Sequence, residues 1–288
     1  MSAAADLLAK ADKKAGSSGG FSFFSSGTSK YEEAHDLYQG AANGFKLEKR
    51  WKESGDAFCK AAEMSIKADE RDDAANDFWN AAKSYKKAQP ALAVAALKKT
   101  IEILVTKGRF RQAADREKEI GQIFQQDAGD LPSALDAYEQ AGEWYSAEDA
   151  TATANACFKD VADIAAQLQQ YPKAIERFEQ VASASLQSPL TRYSSKEYFL
   201  KAGLCHLCTG DTVAARRAFE HYVQQDGTFA STREHKFLVD IANAVEAEDQ
   251  AAFTQHVADY DQLTKLDDWK TTVLLAIRRS IAEEPGLT

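Results

Sequence analysis

Phe58-Cys59-Lys60-Ala61-Ala62 and Phe78-Trp79-Asn80-Ala81-Ala82 repeat one arrangement, a large ring followed by two small residues, twenty positions apart. The arrangement recurs along the chain. Large residues stand at Tyr38, Phe58, Phe78, Leu97, Tyr138, Phe158, Phe178 and Tyr198, at intervals of 19 to 21 residues once the position near 117, held by Glu117, is counted. Tyr38 is followed by Ala41 and Ala42, Tyr138 by Ala141 and Gly142, and Phe178 by Val181 and Ala182; Ala34, Ala74, Ala134 and Ala174 precede their anchors by four. Offsets of three and four residues put these groups on one face of a helix. A small residue beside a bulky one lets neighbouring helices come close while the large group fills the gap.

Twenty residues accommodate one helix of about 15 and a short turn, so antiparallel neighbours form a unit of about 40. Turn signals fall where this unit needs them: Lys107 to Phe110 with Gly108, Ala128-Gly129-Asp130-Leu131-Pro132, Gln170-Tyr171-Pro172 and Gly210-Asp211-Thr212. Pro132 and Pro172 suit a first helical turn, where a missing backbone donor costs little. The expected fold is all-α, a right-handed tetratricopeptide-like α-solenoid over roughly residues 30 to 225. Such hairpins cannot bury their apolar faces alone and must stack into an extended, curved rod with broad surfaces. A compact bundle with accidental regularity would not keep the small partners beside the anchors.

After residue 225 the register weakens. Thr232 to Glu246 and Gln250 to Leu263 read as helices, and Trp269, Val273, Leu274, Ile277 and Ile281 make an apolar stripe that Lys270, Arg278 and Arg279 flank. Residues 1–225 are therefore expected to form an N-terminal loop and solenoid, and residues 226–288 a C-terminal helical bundle that closes the solenoid's end. The last six residues, Glu283-Glu284-Pro285-Gly286-Leu287-Thr288, have no periodicity and read as a tail.

Composition agrees with long helices: 5 prolines and 15 glycines in 288 residues are few, and alanine, the best helix former, is abundant. A net charge of -9 argues against a general nucleic-acid binder. No apolar run approaches the roughly 20 residues of a membrane-spanning helix, and four cysteines suggest no disulfide scaffold. A cytosolic location is the expectation. The phosphate-loop, dinucleotide, zinc-protease and serine-nucleophile signatures are absent, so no catalytic residue, cofactor or metal is expected. Cys205-His206-Leu207-Cys208 lacks a second ligand pair at zinc spacing and reads as buried thiols beside a helical histidine.

One stretch resists this account. Gly16 to Ser29 sets Phe21, Phe23 and Phe24 among glycines and serines, a composition that suits a flexible loop, where large rings are unexpected. The rings either fold back on the first hairpin or enter a bilayer interface or partner groove, with Lys10, Lys13, Lys14 and Lys30 near enough to attract anionic headgroups. Partial burial of three rings contributes a few kcal/mol, at about 25 cal/mol per Å², enough for reversible attachment.

The ordered set Phe21-Ser22-Phe23-Phe24, Lys49-Arg50-Trp51, Asp56-Ala57-Phe58-Cys59-Lys60-Ala61-Ala62, Gly108-Arg109-Phe110, Tyr138-Glu139-Gln140-Ala141, Gln170 to Ile175, Ser188-Pro189-Leu190, Tyr198 to His206 and Leu266-Asp267-Asp268-Trp269 resembles the soluble NSF attachment proteins of the alpha-SNAP type over almost the whole chain. The Thr271 to Leu275 block and penultimate Leu287 extend the likeness. The resemblance implies an adaptor, itself without catalysis, that holds the assembled SNARE four-helix complex on its concave face, recruits and stimulates the hexameric AAA ATPase NSF through its C-terminal domain, and associates weakly and peripherally with vesicle, ER/Golgi, vacuolar or plasma membranes. It implies SNARE contacts at Lys86, Lys87, Lys159, Lys201 and Lys236, NSF contacts at Leu287, Glu283 and Glu284, and membrane contacts at the three phenylalanines. Two departures stand out: Asp115-Arg116 where the family often has a lysine first, and Lys159-Asp160, which shifts the expected charge by one residue. A generic tetratricopeptide scaffold for short peptides is the alternative, but its usual repeat is 34 residues and it leaves the phenylalanine loop unexplained.

Overall fold

Helix ends in this chain are set by two recurring devices. At several N-termini a short oxygen-bearing side chain accepts a backbone N–H of the first turn: Asp130 from Ser133 at 3.1 Å, Asp211 from Ala214 at 2.8 Å, Thr232 from His235 at 3.1 Å and Asp249 from Ala252 at 2.8 Å. At the C-termini the chain turns through the left-handed region. Gly108, Gly129 and Gly210 take it without strain, but Lys49, Asp69, Asp149, Gln169 and Glu248 adopt it as well. The N–H of the next residue then reaches back to a helical carbonyl, as from Glu70 to Ser65 at 2.8 Å and from Gln170 to Ala165 at 2.8 Å.

These signals delimit fourteen α-helices among the described residues of the computed structural model, which are 2–17 and 27–282. They are α1 (Ala3–Gly16), α2 (Gly27–Leu47), α3 (Trp51–Lys67), α4 (Arg71–Tyr85), α5 (Pro90–Thr106), α6 (Phe110–Ile123), α7 (Leu131–Ala147), α8 (Thr151–Gln167), α9 (Tyr171–Leu186), α10 (Ser195–Cys208), α11 (Thr212–Gln225), α12 (Arg233–Glu246), α13 (Gln250–Leu263) and α14 (Asp268–Ala282). A π-helical turn, Phe124–Ala128, extends α6.

The chain forms two compact units, residues 1–150 and 151–288. In the first, each helix from α1 to α7 packs on its sequence neighbours. Alternate helices also bond directly: Lys60 on α3 reaches Asp12 on α1 at 2.7 Å, His35 on α2 reaches Asp77 on α4 at 2.8 Å, and the Trp79 indole on α4 donates to Glu119 on α6 at 3.2 Å. Odd and even helices therefore make two layers. The anchors Tyr38, Phe58, Phe78, Leu97 and Tyr138 are all buried between them, with Ala41, Ala42, Ala61, Ala62, Ala81 and Ala82 at their sides. Burying each large apolar group stabilises the stack by about 1.5–3 kcal/mol.

In the second unit α8, α9 and α10 continue the hairpin pattern, and α10 touches α9, α11, α12 and α14. Phe158 and Phe178 are buried as the periodicity requires. Tyr198 is not: it is half-buried, and the fully buried ring is Phe199, stacked on Tyr222 with centroids 4.6 Å apart. Between α9 and α10 lies a longer connection containing a 3₁₀ turn, Arg192–Ser194, which moves the anchor by one residue.

Three other expectations change. A helix, α1, precedes the expected start of the repeat; its Ala11 joins Ala34, Tyr38, Ala61 and Met64 in one cluster. The Gly/Ser stretch is shorter than read, because α1 runs to Gly16 and α2 begins at Gly27. Lys270 does not flank the apolar stripe of α14 in solvent. It is 6 % exposed and pairs with Glu197 at 2.5 Å and Asp267 at 2.9 Å, neutralised by two carboxylates. Glu117, the charged member of the repeat, sits half-buried on α6 with its carboxyl raised by burial.

Candidate partner-binding surfaces

The residues expected to hold a partner fall in separate places. Lys86 and Lys87 follow the last turn of α4, the first half-buried and the second exposed. The N–H of Lys86 reaches the Ala82 carbonyl at 2.9 Å, which fixes the start of the turn.

Lys159 and Lys201 come together in the second unit. The Lys201 ammonium on α10 lies 2.6 Å from Asp163 Oδ1 on α8, and Lys159 Nζ lies 3.0 Å from Asp163 Oδ2 and 2.9 Å from Asp160. The indole of Trp269, at the start of α14, donates to the Asp163 carbonyl at 3.1 Å. Lys201 also stands 4.5 Å from the Trp269 ring centroid, and that ring meets Phe178 edge-on at 5.5 Å. Asp163 thus ties α8 to α10 through its carboxylate and to α14 through its backbone carbonyl. Burial opposes the charge on Lys159, but Asp163 and Asp160 outweigh it and hold the ammonium above its ordinary range. Of the two lysines, Lys159 keeps more of its side chain in solvent, 36 % against 12 %.

Lys236 is exposed on α12, at the rim of a cleft of about 370 Å³ between α12 and α13. Arg233 and His256 share that rim with Asp240 and Asp259, and the stacked rings of Phe237 and Tyr260, 4.2 Å apart, lie beneath.

Phe21, Phe23 and Phe24, and likewise Glu283, Glu284 and Leu287, lie outside the described residues. Of the lysines near the phenylalanine stretch, Lys10 and Lys13 are exposed, Lys14 is paired with Glu33, and Lys30 donates to the Ser17 carbonyl, so α1 and α2 are joined beside that stretch. Arg278 and Arg279 are exposed in the last turns of α14.

Cys205 is buried, its thiol raised well above the usual value by burial, and burial pushes the Cys208 thiol up to about 12. His206 Nε2 instead lies 3.3 Å from Glu179. Among the described residues no group of three or more His, Cys, Asp or Glu converges to hold a metal ion, and no helix is long and apolar enough to cross a membrane.

The sequence reading passed over one group. Lys83, Trp79 and Arg116 meet across α4 and α6, and the only linear signal for it was an aromatic and a lysine four residues apart on one helix, Trp79 and Lys83.

The family model described as "Soluble NSF attachment protein, SNAP" matches residues 2–282. A "Vesicular-fusion protein SEC17" of Coprinopsis cinerea is 57 % identical over 287 residues, covering 100 % of this chain and 99 % of the relative. A "Probable vesicular-fusion protein sec17 homolog" of Schizosaccharomyces pombe is 48 % identical, with 98 % of each chain covered. The "Alpha-soluble NSF attachment protein" of Homo sapiens is 40 % identical over 96 % of this chain and 93 % of its own. With the stacked helical hairpins, these likenesses settle the kinship: the chain belongs to the soluble NSF attachment protein family.

Proposed function

We propose that this chain is an adaptor that binds assembled SNARE complexes at membranes and recruits and stimulates an NSF-type hexameric ATPase, so that spent SNARE bundles are taken apart in vesicle-mediated transport. The observation that carries the reading is the family match across residues 2–282, with 57 % identity to a vesicular-fusion relative over the whole chain. The adaptor supplies surfaces and transmits load; ATP hydrolysis belongs to its partner.

Lysines on the helix faces steer and hold an acidic bundle. In this reading Lys86, Lys87, Lys159 and Lys236 offer their ammonium groups to the SNARE complex. Lys201, engaged with Asp163, holds the α8, α10 and α14 node on which Lys159 is carried. Residues 226–288 face the ATPase, with Leu287 docking as the apolar group and Glu283 and Glu284 meeting basic residues. Phe21, Phe23 and Phe24 supply a weak membrane contact that becomes effective once the SNARE complex holds the chain nearby.

Purified chain, soluble SNARE four-helix complex and NSF should co-elute as one ternary species, and the chain should raise ATP turnover. Failure to form that species would return the chain to the class of peptide-binding repeat scaffolds.

A further inference from the structure

One stripe of α14 lines a small apolar cleft against α13. Leu274, Leu275 and Arg278 follow one another at helical-face spacing along it, and the cleft measures about 110 Å³. Phe253 of α13 and Leu274, both buried, floor it; Val257 and Leu266 stand half-buried at its sides, and Leu275 at the rim is 46 % exposed. A cavity of about 150 Å³ takes a benzene-sized group, so this one has room for a single aliphatic side chain. Arg278 and Arg279 are exposed beside it, and among the described residues no carboxylate pairs with either.

The position of the cleft points to its occupant. The next member of the stripe is Ile281, at the end of α14, so the chain leaves the helix on the cleft's side. Leu275 lies about 10 Å back along the axis from that end, and the stretch from Glu283 to Leu287 spans up to about 17 Å. Glu284-Pro285-Gly286-Leu287 has proline second and glycine third, the composition of a type II turn, which reverses a chain.

We propose that this cleft is the resting seat of the chain's own residues 283–288, with Leu287 between Val257 and Leu275 and with Glu283 and Glu284 beside Arg278 and Arg279, and that the seat withholds Leu287 from the ATPase. The withholding rests on the reading of Leu287 as an ATPase contact. Three features select this occupant: its one leucine matches the cleft's capacity, its two carboxylates match the unpaired arginines, and its length matches the distance back. Seating Leu287 removes its own side chain and the bare face of Leu275 from water. Only the unseated fraction is competent to meet the partner, so the apparent affinity of the ATPase for the tail falls by that fraction. One side chain and two exposed ion pairs make a shallow seat, which a partner with a closer fit empties.

Leucine and valine methyl NMR of the free full chain, with Leu287 assigned by its loss in Leu287→Ala, should show cross-peaks from Leu287 to Val257 and Leu275. Leu275→Glu places a like charge beside the acidic pair; it should abolish the Leu287 contact to Val257 and lower the chain concentration for half-maximal ATPase stimulation about fivefold, while Leu275→Met retains both. Thr254→Glu, on the exposed opposite rim, should act in the same way and serves where Leu275→Glu does not fold. Absence of the cross-peaks in wild type overturns the inference and leaves the adaptor reading standing. A half-maximal concentration unchanged or raised in the folded rim variants overturns the withholding. Cross-peaks found only between differently labelled chains assign the cleft to a second copy and overturn the seat. Wild-type stimulation by Leu287→Ala overturns the ATPase contact and with it the withholding, while the seat is still read in the free chain.

Discussion

The Nε2 of His35 on α2 lies 2.8 Å from Oδ2 of Asp77 on α4, and the Asp77 side chain is fully buried. Gln39, one turn further along α2, donates to the other Asp77 oxygen at 2.7 Å. Two even helices of the first unit are thereby joined through a charged pair rather than through the apolar repeat. The Asp77 hydrogen bond raises the His35 pKa from 6.5 to about 9 against the opposing effect of burial, with Asp36 contributing in the same direction.

This pair makes stability depend on pH. His35 holds its proton more tightly in the folded chain, so its contribution is fully present below pH 6.5 and is lost as pH rises through about 9. The loss amounts to about 2 kcal/mol once solvent screening at a partly buried site is allowed for. Urea unfolding from pH 6 to 9.5 should show this decline, and His35→Gln should flatten it. Equal slopes in the two proteins would remove His35 as the cause.

Lys201 and Asp163 should be strongly coupled. Removing either partner leaves a largely buried charge with fewer ligands, so Lys201→Met and Asp163→Asn should each destabilise the chain by about 2–3 kcal/mol. A double-mutant cycle should return a coupling of about 1–3 kcal/mol. Additive losses would mean that the two groups act independently.

Gly55 on α3 has no room for a side chain. A Cβ there would stand 2.5 Å from the Tyr85 ring, whose hydroxyl is fixed on Asp56 at 2.7 Å. Gly55→Ala should cost about 1–3 kcal/mol by overpacking and lower the thermal midpoint. Adding Tyr85→Leu should recover part of the loss, which calorimetry of both variants would measure.

Leu287→Ala should leave SNARE binding as in wild type and reduce the stimulated ATPase rate of the NSF-type partner. A steady-state ATPase assay with saturating SNARE complex checks this, and wild-type stimulation would withdraw Leu287 from the ATPase contact.

Replacing Phe21, Phe23 and Phe24 together by serine should reduce recruitment to SNARE-bearing liposomes several-fold, since the attachment of three partly buried rings is worth a few kcal/mol. Binding to the soluble SNARE complex should change little. Liposome flotation beside a solution binding assay separates the two, and unchanged flotation would rule out the membrane contact.

Much of this protein was legible along the line of the chain. The ring-and-alanine period marked the buried faces of α2, α3, α4, α5, α7, α8 and α9, because a helix that packs on both sides must repeat its small residues wherever a neighbour crosses. Gly108, Gly129 and Gly210 marked turns, since positive φ costs glycine nothing. Local composition and spacing carry that information in full. The tertiary structure alone decided which charges meet. Asp163 joins Lys159, four residues before it, to Lys201, thirty-eight residues on, and offers its carbonyl to Trp269 more than a hundred residues away. Lys270 turned inward, Phe199 took the place of Tyr198, and Arg116 on α6 reached Trp79 on α4 within one layer of the first unit. An apolar face is specified by its own period, whereas a charge is specified by the partner that neutralises it, and that partner lies on another helix.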